Sequence, residues 1–79
     1  MVLITDFEKM LSSGTARSRT TSSCGYRLVD LADGTPVVQL ETYGSAERKL
    51  TAKASQSLEI NREMAGDLIR ILHEAFPGL

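Results

Sequence analysis

The middle of this 79-residue chain alternates between apolar and polar residues in short stretches separated by turn signals. Residues 26–31 and 36–43 flank Ala-Asp-Gly-Thr, and an Asp-Gly pair favours a tight turn because glycine readily adopts positive φ. These stretches therefore predict a β-hairpin. Residues 55–60 alternate again, with Leu58 and Ile60 on one side and Ser57 and Glu59 on the other, which predicts a third strand.

The last part of the chain has the periodicity of an amphipathic helix. Asn61 is a suitable N-cap and Pro77-Gly78 ends the element, so we expect the helix over residues 62–76. Its apolar stripe is widened by Ile71 beyond what a small sheet can cover, which predicts that part of the helix packs on a second copy. The stripe consists of Met64, Ala65, Leu68, Ile69, Leu72, Ala75 and Phe76.

The first 24 residues differ in pattern from the rest. Thr5-Asp6-Phe7-Glu8 has the form of a capping box and predicts a short helix over residues 6–12, ending before Gly14. Residues 15–24 are polar, which is typical of a linker, a flexible arm or an edge strand. The sequence thus predicts an α+β fold: an N-terminal helix and polar arm over 1–24, then one domain of antiparallel hairpin, third strand and C-terminal helix over 25–79.

Length and composition limit what this domain can be. At 8.6 kDa, folding hides only roughly 60% of the surface of the extended chain, so a lone monomer is marginal. Small domains gain stability from disulfides, metals or partner subunits. With Cys24 and His73 as the one cysteine and the one histidine, the chain lacks an internal disulfide and a zinc-ligand cluster. We therefore expect a homodimer without metal or cofactor.

The inventory of reactive side chains argues against catalysis. A nucleophile pair of Cys24 and His73 is conceivable, but a small edge cysteine and a histidine near a helix C-terminus explain both residues. The six glycines form no phosphate-binding loop. We expect no catalytic residues and a protein that is not an enzyme. The chain has no apolar run of 18 residues and no signal-peptide core, so we expect a cytoplasmic protein with no membrane partner.

Charge is distributed unevenly along the chain. Residues 12–58 hold six basic and four acidic side chains, a balance of +2, whereas residues 59–79 hold two basic and four acidic ones, a balance of −2. The basic middle predicts a groove in which cations hold phosphates and tyrosines stack on bases. The alternative is that the tyrosines are half-buried strand residues and the cations are solubilising surface. The groove residues would be Tyr26, Arg27, Tyr43, Arg48, Lys49 and Lys53.

The hairpin that ends in Glu41-Thr42-Tyr43, the basic loop and residues 53–58 together resemble the positive cofactor four family of transcriptional coactivators, whose relatives include the Whirly proteins. The family's double lysine is reduced here to Lys53. The resemblance implies a curved antiparallel sheet that binds single-stranded nucleic acid and a C-terminal helix that forms a dimer. It places Arg48, Lys49 and Lys53 on phosphates and Tyr26 or Tyr43 on bases. The implied dimer interface is Leu68, Ile71, Leu72 and Phe76.

The sequence therefore favours a homodimeric nucleic-acid-binding module that prefers single-stranded DNA or RNA and has a role in transcription. The alternative is a small protein-binding or assembly subunit that acts through its helix face and an open sheet edge. The near-zero net charge of −1 and the wide apolar stripe of the helix support this alternative.

Overall fold

A computed structural model describes residues 1–11, 14–15, 21–43 and 56–79 of the chain. These residues form four strands and one helix, and the order of the strands in the single sheet is β1-β4-β3-β2. Strand β1 runs parallel to β4, and the other neighbours are antiparallel. The elements are β1 (Val2–Leu3), β2 (Cys24–Asp30), β3 (Pro36–Thr42), β4 (Gln56–Asn61) and α1 (Arg62–Ala75). The predicted α+β class, with a small sheet followed by a helix, is confirmed.

The hairpin of β2 and β3 turns through a three-residue loop. The Gly34 amide donates to the Leu31 carbonyl at 2.8 Å, and the Leu31 amide donates to the Thr35 carbonyl at 2.8 Å. Gly34 has a φ of 88°, the left-handed conformation that closes such a loop with a bulge. This closing pair fixes the register, in which Leu28 stands opposite Val38.

A side chain supports the same turn. The Thr35 amide donates to Asp33 Oδ1 at 2.9 Å, and this hydrogen bond lowers the pKa of the Asp33 carboxyl below its ordinary value. Because the pKa is lowered in the folded state, the contribution of this hydrogen bond to the free energy of unfolding is fully present at pH values above the ordinary pKa of aspartate. It is lost as the pH falls through the lowered value.

Strand β4 passes directly into helix α1. Asn61 is the last residue of β4 and also the N-cap, because its Oδ1 accepts from the Met64 amide at 2.9 Å. Glu63 lies in the first turn and His73 in the last, as the helix dipole favours. The predicted cap, start and end of the helix therefore match the structure to within one residue.

The predicted helix over residues 6–12 is wrong for the residues that the structure describes. Residues 4–10 have no regular secondary structure, and Val2–Leu3 instead pairs with β4, extended by a bond from the Ile4 amide to the Glu59 carbonyl of 2.9 Å. A helix of seven residues is too short to be stable without a packed face. Met10 and Leu11 are both exposed and Phe7 is half-buried, so the predicted helix face would be packed at one of these three residues at most.

The apolar core of the described residues is very small. Val37, Ile60 and Met64 are the buried hydrophobic residues, with 3%, 8% and 5% of their surface exposed. They come from β3, β4 and the first turn of α1, so the core lies where the helix leaves the sheet. Much of the remaining apolar surface of the described residues is therefore open to solvent.

Candidate docking surface

The register of the sheet separates the side chains of the strands into two faces of different character. Successive side chains of a strand point to opposite faces, and directly paired residues point to the same one. We call one side the apolar face. Its apolar members occupy paired positions on neighbouring strands, and Cys24, Asp30, Thr42 and Gln56 share the face at the strand ends. The apolar members are Val2, Tyr26, Leu28, Val38, Leu40, Leu58 and Ile60.

The opposite side, here called the polar face, carries Arg27, Gln39, Glu41, Ser57 and Glu59, and it also holds the apolar Leu3, Val29 and Val37. Its side chains bond to one another: Arg27 Nη2 lies 3.4 Å from Glu41 Oε1, and Gln39 Nε2 donates to Glu59 Oε2 at 2.8 Å. Two carboxylates thus stand beside one guanidinium. This face does not provide the positive potential that a phosphate backbone requires.

The apolar face is most exposed at strand β2. Tyr26 and Leu28 expose 78% and 80% of their surface, and no charged side chain stands between them on that face. Leu28, Val38 and Ile60 form a row across three strands and line an open groove of about 320 Å³. Ala65 and Arg62 of the first helical turn also line this groove. Exposed apolar patches of this kind mark interaction sites.

Strand β2 also presents an open backbone edge. Among the described residues, no strand pairs with β2 on the side away from β3. Hydrogen-bonded and non-hydrogen-bonded pairs alternate along an antiparallel ladder, and the Leu31 amide bonds inward to Thr35. The amides and carbonyls that point outward therefore belong to the even-numbered residues, which are Cys24, Tyr26, Leu28 and Asp30. We call this row the β2 edge.

Three of the predicted nucleic-acid-binding residues lie in the described part of the chain, and they do not share one face. Tyr26 lies on the apolar face and Arg27 on the polar face, as expected for neighbours in a strand. Tyr43 is half-buried, and its ring lies against Gly25, where an added Cβ would stand 2.7 Å from its hydroxyl oxygen. Strand alternation alone could have revealed this separation. The remaining predicted residues, Arg48, Lys49 and Lys53, lie outside the described residues.

The predicted dimer residues of α1 differ in exposure. Leu68, Ile71 and Leu72 are half-buried, and Phe76, just after the helix, is exposed. No helix within the described ranges is long and apolar enough to cross a membrane.

The chemistry-bearing residues form no cluster in the described part of the chain. Cys24 is an exposed free thiol at the start of β2, and His73 is exposed in the last turn of α1. No group of three or more histidine, cysteine or acidic side chains that could hold a metal occurs in residues 1–11, 14–15, 21–43 and 56–79. Within these residues, the apolar face and the β2 edge are the features with an evident binding capacity.

Comparison with known proteins gives no match to a family model, to a curated protein or to a solved structure.

Proposed function

We propose that this protein is a non-catalytic assembly module that binds an extended segment of another polypeptide along the β2 edge. The observation that carries the proposal is the exposure of Tyr26 and Leu28, side by side on the apolar face of a strand that has no outer neighbour among the described residues. Adding a strand to an open edge supplies main-chain hydrogen bonds. Apolar side chains of the incoming segment supply affinity by covering the exposed pair.

The chemistry of the two faces defines the partner. The incoming strand lies beside Tyr26 and Leu28 on one face, so apolar residues at alternate positions suit it. On the other face it lies beside Arg27, which is already held by Glu41, so a residue without positive charge suits that position. The partner is therefore an extended segment with an apolar and a polar side.

A peptide titration tests this proposal. The probe is a labelled seven-residue peptide with valine at alternate positions and threonine between, and a peptide of the same composition with clustered valines is its reference. Leu28→Lys should weaken binding of the alternating peptide about 10–100-fold, because the contact of one leucine contributes roughly 1.5–3 kcal/mol. Fluorescence anisotropy gives both affinities.

The control is Ile69→Lys, which places the same charge at an exposed apolar position of the helix. This variant should bind the alternating peptide as the unmodified protein does. Equal affinity for the alternating and clustered peptides, or equal weakening by both substitutions, would refute strand addition at the β2 edge.

Nucleic-acid binding is a second candidate, and the exposed ring of Tyr26 supports it. A tyrosine with 78% of its surface open is available for stacking on an unpaired base. The basic residues of the intervening segment, Arg48, Lys49 and Lys53, would supply contacts to phosphates. In this function, as in the first, the protein binds without catalysing a reaction.

The double variant Lys49→Ala, Lys53→Ala tests this second function. Its affinity for a short single-stranded oligonucleotide should fall at every base sequence, and the dependence of log K on log salt should become flatter by about 1.4, or ~0.7 per lost phosphate contact. Titrations at low and near-physiological salt measure both quantities. An unchanged slope would remove these lysines from the site, and absence of binding at low salt would exclude the function.

A further inference from the structure

We infer that the β2 edge pairs with the β2 edge of a second copy, in antiparallel direction and with Leu28 on the twofold axis. The two four-stranded sheets then join into one sheet of eight strands. This inference rests on the proposed function and names the partner. It places the dimer contact at the sheet, whereas the sequence pattern predicts it at the helix.

The hydrogen-bonding pattern restricts how two copies of β2 can pair. Outward-pointing backbone groups belong to even-numbered residues, so an even-numbered residue must stand opposite another even-numbered residue. This condition allows a twofold axis through any residue of the strand, and the registers that join at least five of its seven residues are those centred on Tyr26, Arg27 or Leu28. Each of these registers keeps the two apolar faces on the same side of the joined sheet.

Charge excludes the register centred on Arg27. It would place the two Arg27 side chains directly opposite each other in a non-hydrogen-bonded pair, where Cβ atoms come closest. Like charges in that position are destabilising. In the register centred on Leu28, each Arg27 stands opposite Val29 of the partner instead.

Continuity of the apolar face favours Leu28 over Tyr26 as the centre. Ile60, Val38 and Leu28 already form a row that ends at the open edge. With Leu28 on the axis, the same row continues in reverse through the second copy and gives six apolar side chains in line. With Tyr26 on the axis, Leu28 would instead stand opposite Cys24 at the end of the ladder.

The surface area buried by this contact indicates the affinity to expect for the dimer. A joined pair of strands in this register covers Leu28 and places Tyr26 opposite Asp30 of the second copy, and it leaves the helix free. It therefore buries less than the roughly 800 Å² per partner of a standard interface. Interfaces of that size are typical of weak association. We therefore expect a dimer with a dissociation constant of roughly 10–100 µM, visible by sedimentation across that range.

Single-cysteine variants test the register directly, in a Cys24→Ser background so that the native thiol does not interfere. Opposite residues of a hydrogen-bonded pair have Cα atoms about 5.5 Å apart, which suits a disulfide. Leu28→Cys should therefore give a covalent dimer under mild oxidation. In this register Tyr26→Cys and Arg27→Cys place their partners beyond about 7 Å and should stay monomeric.

Two further measurements distinguish a dimer that pairs through β2 from a dimer that forms through the end of the helix. Phe76→Cys, in the same background, tests a contact through the helix end, and Leu28→Lys should shift the sedimentation of the intact chain to the monomer. Cross-linking of Phe76→Cys without Leu28→Cys, or equal cross-linking of all four variants, overturns the inference. A chain that stays monomeric to about 1 mM yet binds the alternating peptide overturns self-pairing alone, and the proposed function stands.

Discussion

Ile60→Ala should lower the free energy of unfolding by about 2–5 kcal/mol, the range observed when a large aliphatic side chain is removed from a core. Ile60 is one of three buried hydrophobic residues in the described part of the chain and lies between strand β3 and the start of α1. A domain of 79 residues has a total stability of only about 4–12 kcal/mol. Urea denaturation followed by circular dichroism should therefore show a much lower midpoint or an unfolded protein.

The matched control is Ile69→Ala, which removes the same atoms at a position that is 56% exposed. Its cost should stay within about 1 kcal/mol, since little of this side chain leaves water on folding. A larger loss for Ile69→Ala than for Ile60→Ala would mean that the helix face, covered by a second copy, contributes more to stability than the junction of sheet and helix.

Gly34→Val should destabilise the fold by about 1–3 kcal/mol, because valine strongly disfavours the positive φ that closes the hairpin. An added Cβ at Gly34 meets no atom within 4 Å, so the expected cost comes from the backbone conformation and not from a steric clash. The turn also determines which residues of β2 face each side of the sheet, since a slip of one residue exchanges the faces. We therefore expect Gly34→Val to change both the melting temperature in thermal denaturation and the affinity in the peptide titration.

Gly34→Asn separates the effect of the backbone conformation from that of a steric clash, because asparagine also adds a Cβ but tolerates the left-handed conformation better than valine does. It should recover most of the stability. Gly66→Ala has the opposite expected sign: an added Cβ meets no neighbour within 4 Å, and alanine in a helix is favoured over glycine by roughly 0.5–1 kcal/mol. A Gly34→Val variant as stable as the unmodified protein would show that the loop closes in another way.

The parts of the fold that the sequence predicts well are those determined by neighbouring residues. The Asp-Gly pair identified the hairpin, alternation identified β4, and Asn61 identified the start of α1. In each case the signal and the structure lie within a few residues of each other. Turn conformation, strand pleat and helix capping are local interactions, which explains why these predictions are confirmed.

The features that the sequence did not predict depend on distant contacts. Strand β1 forms because Val2 and Leu3 lie beside Leu58 and Glu59, more than 50 residues away in the sequence. Nothing in a two-residue stretch indicates that partner, and the capping box next to it predicted a helix instead. The separation of Tyr26 and Arg27, in contrast, follows from local alternation, which places neighbouring residues of a strand on opposite sides of the sheet. The prediction of a common site relied instead on their aromatic and basic side chains.

The two borders of the described sheet are unequal, and this inequality limits how far the molecules can polymerise. A filament grows only when every molecule offers two adhesive borders, one for each neighbour. Here β2 presents seven residues, whereas β1 covers part of β4 and presents only two. A short border strand is one of the devices that prevent runaway sheet extension. Pairing through β2 therefore uses up the long border of both molecules and ends in a closed pair instead of a fibre.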